Sequence, residues 1–165
     1  MYEDVERTVT EEPVDSDVDL SVPQQRREPC RGFWDIIAVI AIGGALGATA
    51  RYGIGVAWPT PPTAFPWATL VINVIGCGLI GVLMVFSTDV WATPRLVRPF
   101  LGTGLLGGFT TFSTYAVDIQ RLITSGAART SLLYMVVTPI GAVVAVGAAV
   151  VLTRLAVRSV RESPP

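Results

Sequence analysis

The residues best suited to act on a small solute lie in one short polar stretch of an otherwise apolar chain. Residues 107–115, GGFTTFSTY, begin with paired glycines, and five of the six residues from Thr110 to Tyr115 carry a hydroxyl. β-Branched residues directly after glycines make a poor regular helix, so this stretch predicts a local break. A break exposes carbonyls that can hold a cation and amides that can face an anion. The alternative is a regular helix whose hydroxyls bond back to the preceding turn.

Four more polar residues stand out against apolar neighbours. Asn73 is costly in hydrocarbon unless it is paired, so it either joins helices or lines a path for a solute. Arg51 either snorkels to the membrane interface or forms an electropositive vestibule that attracts anions. Tyr134 and Thr138 are four residues apart and share one helical face, as a polar track or as packing.

These residues must be positioned by long uncharged segments. No charged side chain occurs between Tyr52 and Ser87, between Pro99 and Val117, or in residues 130–153. Uncharged apolar runs of about 18 or more residues have the length that a helix needs to cross a bilayer. We therefore expect an all-α integral membrane protein with four transmembrane helices, at about residues 33–56, 65–86, 99–117 and 131–154. Residues 118–129 are expected to form a polar connection.

Charge and cysteine usage exclude several other classes of protein. All 12 basic residues are Arg and 13 acids nearly balance them, so no basic patch for nucleic acid is expected. The sequence has no His and only two cysteines, in very different settings, which disfavours a metal or disulfide framework. Nine of the 13 acids fall in residues 1–32, which we expect to be a disordered acidic tail before a transmembrane domain at 33–154. Residues 155–165 are a short Arg-bearing tail.

Three motifs, in order, resemble the Fluc/CrcB family of fluoride channels. Residues 43–52, GGALGATARY, are similar to the first-helix signature of that family, and residues 73–76, NVIG, to the Asn-x-x-Gly of its second helix. Residues 104–115, GLLGGFTTFSTY, resemble the glycine-rich break of its third helix. The resemblance covers about residues 33–154. It implies an antiparallel, dual-topology-type dimer of four-helix subunits with two narrow fluoride pores.

The resemblance also implies roles for individual residues. Main-chain carbonyls of Gly107 and Thr110 would hold a structural sodium ion at the dimer interface. Phe112 would turn the positive edge of its ring toward fluoride, Asn73 would donate amide hydrogens, and Arg51 would sit at a vestibule. The pore would also have a hydroxyl-bearing wall, which would include Ser113, Tyr134 and Thr138.

Tyr115 departs from the family pattern, which usually has a second Phe at this pore-lining position. A Tyr keeps the ring edge and adds a hydroxyl. That hydroxyl either blocks the pore, donates to a neighbour or points away. One consequence left open is that one of the two pores is degraded in this subunit.

The function implied is a fluoride-selective channel that lowers cytoplasmic fluoride by passive efflux, with no enzyme chemistry. One alternative is a non-conducting membrane scaffold or assembly subunit whose glycines and hydroxyls only pack helices. A second is a small proton-coupled multidrug exporter, which would place a carboxylate within a span. Apart from Asp35, at the very start of the first, the expected spans contain none.

The Arg residues predict how the chain is oriented in the plasma membrane. Orientation follows the bias of basic residues in short flanking segments. With four spans, both termini share a side with the second connection, and that side carries eight Arg: 26, 27, 31, 95, 98, 154, 158 and 161. The other side carries Arg121 and Arg129, plus Arg51 if it is not buried. We expect both termini in the cytoplasm. This bias favours a dimer with an oppositely oriented family member over a homodimer; fluoride and membrane lipid are the other expected partners.

Overall fold

The computed structural model describes residues 28–90 and 94–162, with side chains described for 33–88 and 94–159. The chain divides into two units, Met1–Asp35 and Ile36–Pro165. In the first unit, the rings of Phe33 and Trp34 meet edge to face, with centroids 6.0 Å apart. The tail expected at residues 1–32 lies outside the described residues up to position 27. The first helix already includes Glu28, five residues before the expected start of the span.

All regular structure in the described ranges is helical, and no strand occurs there. The elements in chain order are α1 (Glu28–Ala57), α2 (Trp67–Val85), the π-helical segments π1 (Phe86–Val90) and π2 (Pro99–Leu106), the single turn α3 (Gly107–Phe109), α4 (Ser113–Thr124) and α5 (Ala128–Glu162). Three helices are long and apolar enough to cross a membrane: Phe33–Ala57, Trp67–Thr88 and Ala128–Ser159. The chain is therefore a membrane protein, and those three segments agree with the first, second and fourth expected spans.

The helix after the break is longer than expected. The expected third span ended at Val117, but α4 continues to Thr124 and places Asp118 inside a helix. The turn after α4 contains Gly126, whose φ of 80° is the left-handed conformation that glycine adopts without strain. The N–H of Ala127 then bonds to the carbonyl of Leu122 at 2.9 Å, which closes the turn into α5.

Glycines bring α1 into backbone contact with the helix that leads to the break. A Cβ on Gly43 would lie 2.6 Å from the Phe100 carbonyl oxygen, and a Cβ on Gly104 would lie 2.9 Å from that of Ile40. One turn on, a Cβ on Gly47 would strike the Leu105 carbonyl, and one on Gly108 would strike the Gly44 carbonyl. The two GxxxG pairs of the sequence thus face each other, and only residues without a side chain fit.

The same contacts fix the directions of the helices within residues 36–162. α1 runs parallel to π2 and α3, because later residues of one meet later residues of the other. α2 runs parallel to α5, since Gly141 lies against Val74 and Gly81 lies against Val146 and Ala149. The end of α2, the start of π2 and the C-terminal part of α5 therefore share one end of the helix group.

Candidate functional site

The site is built around a break in the helical backbone at residues 110–112. Helical geometry stops at Phe109, Thr110 is extended with φ −73° and ψ 157°, and the helix resumes at Ser113. In a continuous helix the Thr111 N–H would bond to the Gly107 carbonyl. Here it bonds to the side chain of Asn73 instead. Polar main-chain groups next to the break thus need partners from other helices.

Asn73 on α2 supplies two of those bonds. Its Nδ2 donates to the Thr111 carbonyl at 3.0 Å, and its Oδ1 accepts from the Thr111 N–H at 2.8 Å. The Asn73 side chain is buried, and both bonds are partly buried. Of the two readings left open by the sequence, the geometry supports the joining of helices, with one amide hydrogen not engaged by Thr111.

Arg51 on α1 holds the break from the opposite side. Its Nε donates to the Gly108 carbonyl at 3.2 Å, just before the break, and its Nη1 donates to the Thr114 hydroxyl at 3.3 Å, just after it. The guanidinium group is partly buried, and its planar fork suits two acceptors held in fixed positions. Arg51 therefore bridges the two helical pieces.

Hydroxyl groups organise the restart of the helix. The Thr111 hydroxyl accepts from the Thr114 N–H at 3.1 Å, which satisfies one of the free amides at the start of α4. The same oxygen lies 3.2 Å from the Ser113 hydroxyl and donates to that of Thr114 at 3.1 Å. Before the break, the Thr110 hydroxyl bonds back to the Leu106 carbonyl at 2.9 Å. The bond that the regular-helix alternative required is therefore present at Thr110, next to a broken backbone.

A cavity of about 650 Å³ opens beside the break. Six of the residues expected to form the site line it, namely Asn73, Gly107, Thr110, Phe112, Tyr115 and Thr138. Thr138 is only 4% exposed, and its hydroxyl has no hydrogen-bond partner among the described residues. A buried hydroxyl without a partner is costly unless something in the cavity bonds to it.

The other three expected residues lie outside this lining. Arg51 bridges the break as described, Ser113 is exposed with its hydroxyl near Thr111, and Tyr134 is fully buried behind Tyr115. Cys77, which is not among the residues expected to form the site, also lines the cavity, one turn after Asn73 on α2.

Aromatic rings continue from the cavity into the core. The centroids of Phe112 and Tyr115 are 5.5 Å apart, those of Tyr115 and Tyr134 are 5.2 Å apart, and Tyr134 meets Phe65 edge to face at 5.3 Å. The Tyr115 hydroxyl donates to the main-chain carbonyl of Met135 at 2.7 Å. Of the three options for this hydroxyl, donation to a neighbour is the one observed.

Asp118 is the residue near the site that the sequence assigned to a connection. Its carboxylate is buried and accepts from the hydroxyls of Thr69 at 2.8 Å and Tyr134 at 3.4 Å. Arg121, one turn later, places Nη2 3.1 Å from the other carboxylate oxygen. A buried carboxylate is tolerated when it is paired and hydrogen-bonded in this way. Thr69 lies four residues before Asn73, about one helical turn, and so on the same face of α2. This spacing was the only signal in the sequence that polar residues continue along that face.

The comparisons with known proteins cover the same part of the chain. A family model described as "CrcB-like protein, Camphor Resistance (CrcB)" matches residues 38–150. The chain is 55% identical over 119 residues to "Fluoride-specific ion channel FluC 2" of Streptomyces avermitilis, over 72% of this chain and 75% of that protein. It is 52% identical over 122 residues to "Fluoride-specific ion channel FluC 1" of Streptomyces coelicolor, over 72% and 79% of the two chains. A third relative, "Fluoride-specific ion channel FluC 2" of Nocardia farcinica, is 55% identical over 111 residues, which are 67% of this chain and 79% of its own. The family match spans the break and the helices that hold it, and the chain belongs to the CrcB family.

Proposed function

We propose that this protein is a fluoride-selective channel that lowers cytoplasmic fluoride by passive efflux through the plasma membrane. The observation that carries the proposal is the cavity beside the break, which is lined by the amide-bearing Asn73 and by the exposed ring of Phe112. Relatives at 52% and 55% identity bear the name of fluoride-specific channels. A channel of this kind converts no substrate, and the chain is not an enzyme.

The lining of the cavity suits a small anion. Fluoride gives up water only where donors replace it, and the cavity is lined by Asn73, which keeps one amide hydrogen that Thr111 does not engage. The ring edges of Phe112 and Tyr115 add weak positive potential. No carboxylate is among the residues that line it in the described ranges, so the anion meets no like charge. Donors that attract without holding tightly favour both entry and release.

We propose that π2 with α3 and α4 form the two halves of one broken membrane crossing, the third of four. Support comes from the parallel contact of π2 and α3 with α1 and from the bonds of Arg51 and Asn73 to both sides of the break. Irregular backbone is tolerated at membrane depth when it is buried in protein or lines a water-filled cavity.

We further propose an antiparallel dimer with a structural sodium ion at its interface. No group of three or more His, Cys, Asp or Glu that fits a metal occurs among the described residues, so neutral oxygens are the ligands on offer. The Gly107 carbonyl has lost its usual helical donor to Asn73, and Thr110 is extended. Unwound carbonyls of this kind bind sodium in broken membrane helices. Phe112, 79% exposed in one subunit, would be covered by the second.

Fluoride efflux from liposomes tests the function directly. Purified protein reconstituted into fluoride-loaded vesicles should release fluoride when valinomycin and potassium balance the charge, with no proton or sodium gradient. Chloride-loaded vesicles are the matched control. Chloride release as fast as fluoride release would refute selectivity, and no release with any family partner present would leave the scaffold alternative.

The partner is a separate proposal, based on the ends of the helices. Arg95, Arg98, Arg154 and Arg158 lie at one end of the helix group, whereas Arg121 and Arg129 lie near the α4–α5 turn. We propose that the richer end is cytoplasmic and that the natural partner is an oppositely oriented family member. Terminal tags tested for access from outside intact cells should be protected at both ends. Equal numbers of exposed and protected tags, with full flux from this chain alone, would point to a dual-topology homodimer.

Asp118 bears on the exporter alternative, because a carboxylate does occur within a helix. Its oxygens are engaged by Thr69, Tyr134 and Arg121. A carboxylate engaged in this way, and not among the residues that line the cavity, joins helices rather than facing a transported solute. Fluoride efflux that is unaffected by an imposed proton gradient would agree with this reading.

A further inference from the structure

A second cavity lies away from the break, where the end of α2 meets the start of π2. It has a volume of about 430 Å³ and its walls are almost entirely apolar, with Leu79, Val82 and Leu83 on one side and Leu101, Leu105 and Leu106 on the other. None of these residues lines the cavity beside the break. The groove therefore belongs to neither the proposed fluoride path nor the break.

A polar and cationic groove adjoins this apolar one. It is lined by Arg98 and Thr103 and shares Leu83 and Ser87 with the apolar cavity. Arg98 is exposed, and neither it nor the exposed Arg95 one turn earlier makes an ion pair or hydrogen bond to another residue in the described ranges. Exposed cationic side chains therefore stand at the mouth of a groove whose walls are hydrocarbon.

The two grooves lie side by side along α2, since residues 79–87 line the apolar one and residues 80–87 line the cationic one. They differ along π2, where Arg98 directly precedes the first residue and the apolar groove continues to Leu105 and Leu106 at the other end. The cationic end lies where α2 and π2 leave the apolar span, at the level of lipid headgroups, and the apolar end points toward the membrane interior.

We propose that this composite groove binds an anionic phospholipid, with an acyl chain in the apolar cavity and the phosphate beside Arg98 and Arg95. Charge complementarity selects the headgroup, because basic pockets between transmembrane helices attract anionic lipids. The apolar walls select a lipid over a free phosphate, since a chain in the groove covers the exposed Leu79 and the half-buried Leu83 and Leu101. The site is independent of the fluoride path.

Native mass spectrometry of the purified, delipidated protein in detergent tests the proposal. The probes are dioleoyl phosphatidylglycerol, dioleoyl phosphatidylcholine and glycerol phosphate. We expect phosphatidylglycerol to bind at least about fivefold more tightly than phosphatidylcholine. Arg98→Gln should weaken phosphatidylglycerol by about fivefold, the ratio that corresponds to about 1 kcal/mol for one Arg near an anionic surface.

Matched variants distinguish lipid binding at this groove from general electrostatic attraction of the lipid to the protein. Arg129→Gln removes an exposed Arg near the opposite turn and should leave binding unchanged. Val97→Trp fills the apolar cavity and should weaken both lipids, whereas Val144→Trp, on an exposed face of α5, should weaken neither. Equal binding of the two lipids, equal loss with Arg98→Gln and Arg129→Gln, or glycerol phosphate binding as tightly as the lipid would each overturn the proposal. So would a dimer that excludes lipid and buries Val97, because a second copy would then occupy the groove.

Discussion

The bond pair between Asn73 and Thr111 gives the sharpest prediction. Asn73→Ala removes two buried hydrogen bonds, of 3.0 and 2.8 Å, and leaves the main-chain groups of Thr111 without them. Hydrogen bonds between membrane helices contribute about 0.6 kcal/mol on average and at most about 1.7 kcal/mol. The two together therefore stabilise the break by about 1 to 3 kcal/mol. A loss of about 1 to 3 kcal/mol changes an equilibrium by about five- to 150-fold, so we expect fluoride flux to fall at least about fivefold while the protein still assembles.

Asn73→Asp tests whether Asn73 holds the break through its two hydrogen bonds to Thr111 or only fills space. The carboxylate still accepts from the Thr111 N–H but lies against the Thr111 carbonyl where the amide used to donate. Flux should be low at neutral pH and recover in part at acidic pH, because the protonated acid regains a donor. The assay is fluoride-electrode recording from proteoliposomes, with protein-free vesicles at each pH as the control for leak of the neutral acid. Ile75→Ala, at a half-exposed position of the same helix, is the matched control. Wild-type flux and thermal stability in Asn73→Ala would refute the clamp.

Three further predictions concern the rings and the glycines. Phe112→Ile should abolish flux and leave the dimer intact on size-exclusion chromatography, because it removes an exposed ring edge without touching the core; normal flux would remove Phe112 from the path. Tyr115→Phe should keep at least half of the flux, since its hydroxyl donates to the Met135 carbonyl; complete loss would mean that the hydroxyl itself meets the ion. Gly47→Ala should prevent a stable, monodisperse protein, because the new Cβ strikes the backbone of Leu105. Gly53→Ala on the same helix places its Cβ where nothing lies within 4 Å and should leave the protein stable. If Gly47→Ala and Gly53→Ala gave equally monodisperse protein, this packing would be contradicted.

The spans and the position of the break could be predicted from the sequence because both depend on local composition. Absence of charge set α2 to within two residues and the start of α5 to within three, although α5 continues eight residues past its expected end at 154. Glycines followed by β-branched residues marked residues 110–112. Partners in space could not be predicted in the same way. Whether Asn73 joined helices or lined a path depended on Thr111, which lies 38 positions away and offers main chain rather than a side chain.

Asp118 shows why the end of the third segment was misplaced. A charged residue after an apolar run usually ends a span, because an unpaired charge in hydrocarbon is costly. Here three polar side chains, from Thr69, Tyr134 and Arg121, engage the carboxylate, and the helix continues for six more residues. Two of these partners come from other helices, so local sequence carries no record of them. The hydroxyl of Tyr115 was undetermined for the same reason, as its acceptor is a main-chain carbonyl on α5.

The order of the clamps along the chain has a consequence for biosynthesis. The two side chains that hold the break, Arg51 and Asn73, both precede it, so they are synthesised before Thr110. The aromatic partner of Tyr115 follows 19 residues later, a delay of about 1 to 4 s at ordinary rates of translation. Main-chain N–H and C=O groups without hydrogen-bond partners are costly in lipid, so they need partners before a later helix is made. The arrangement lets the unwound segment leave the insertion machinery already partnered, with α5 added afterwards as its cover.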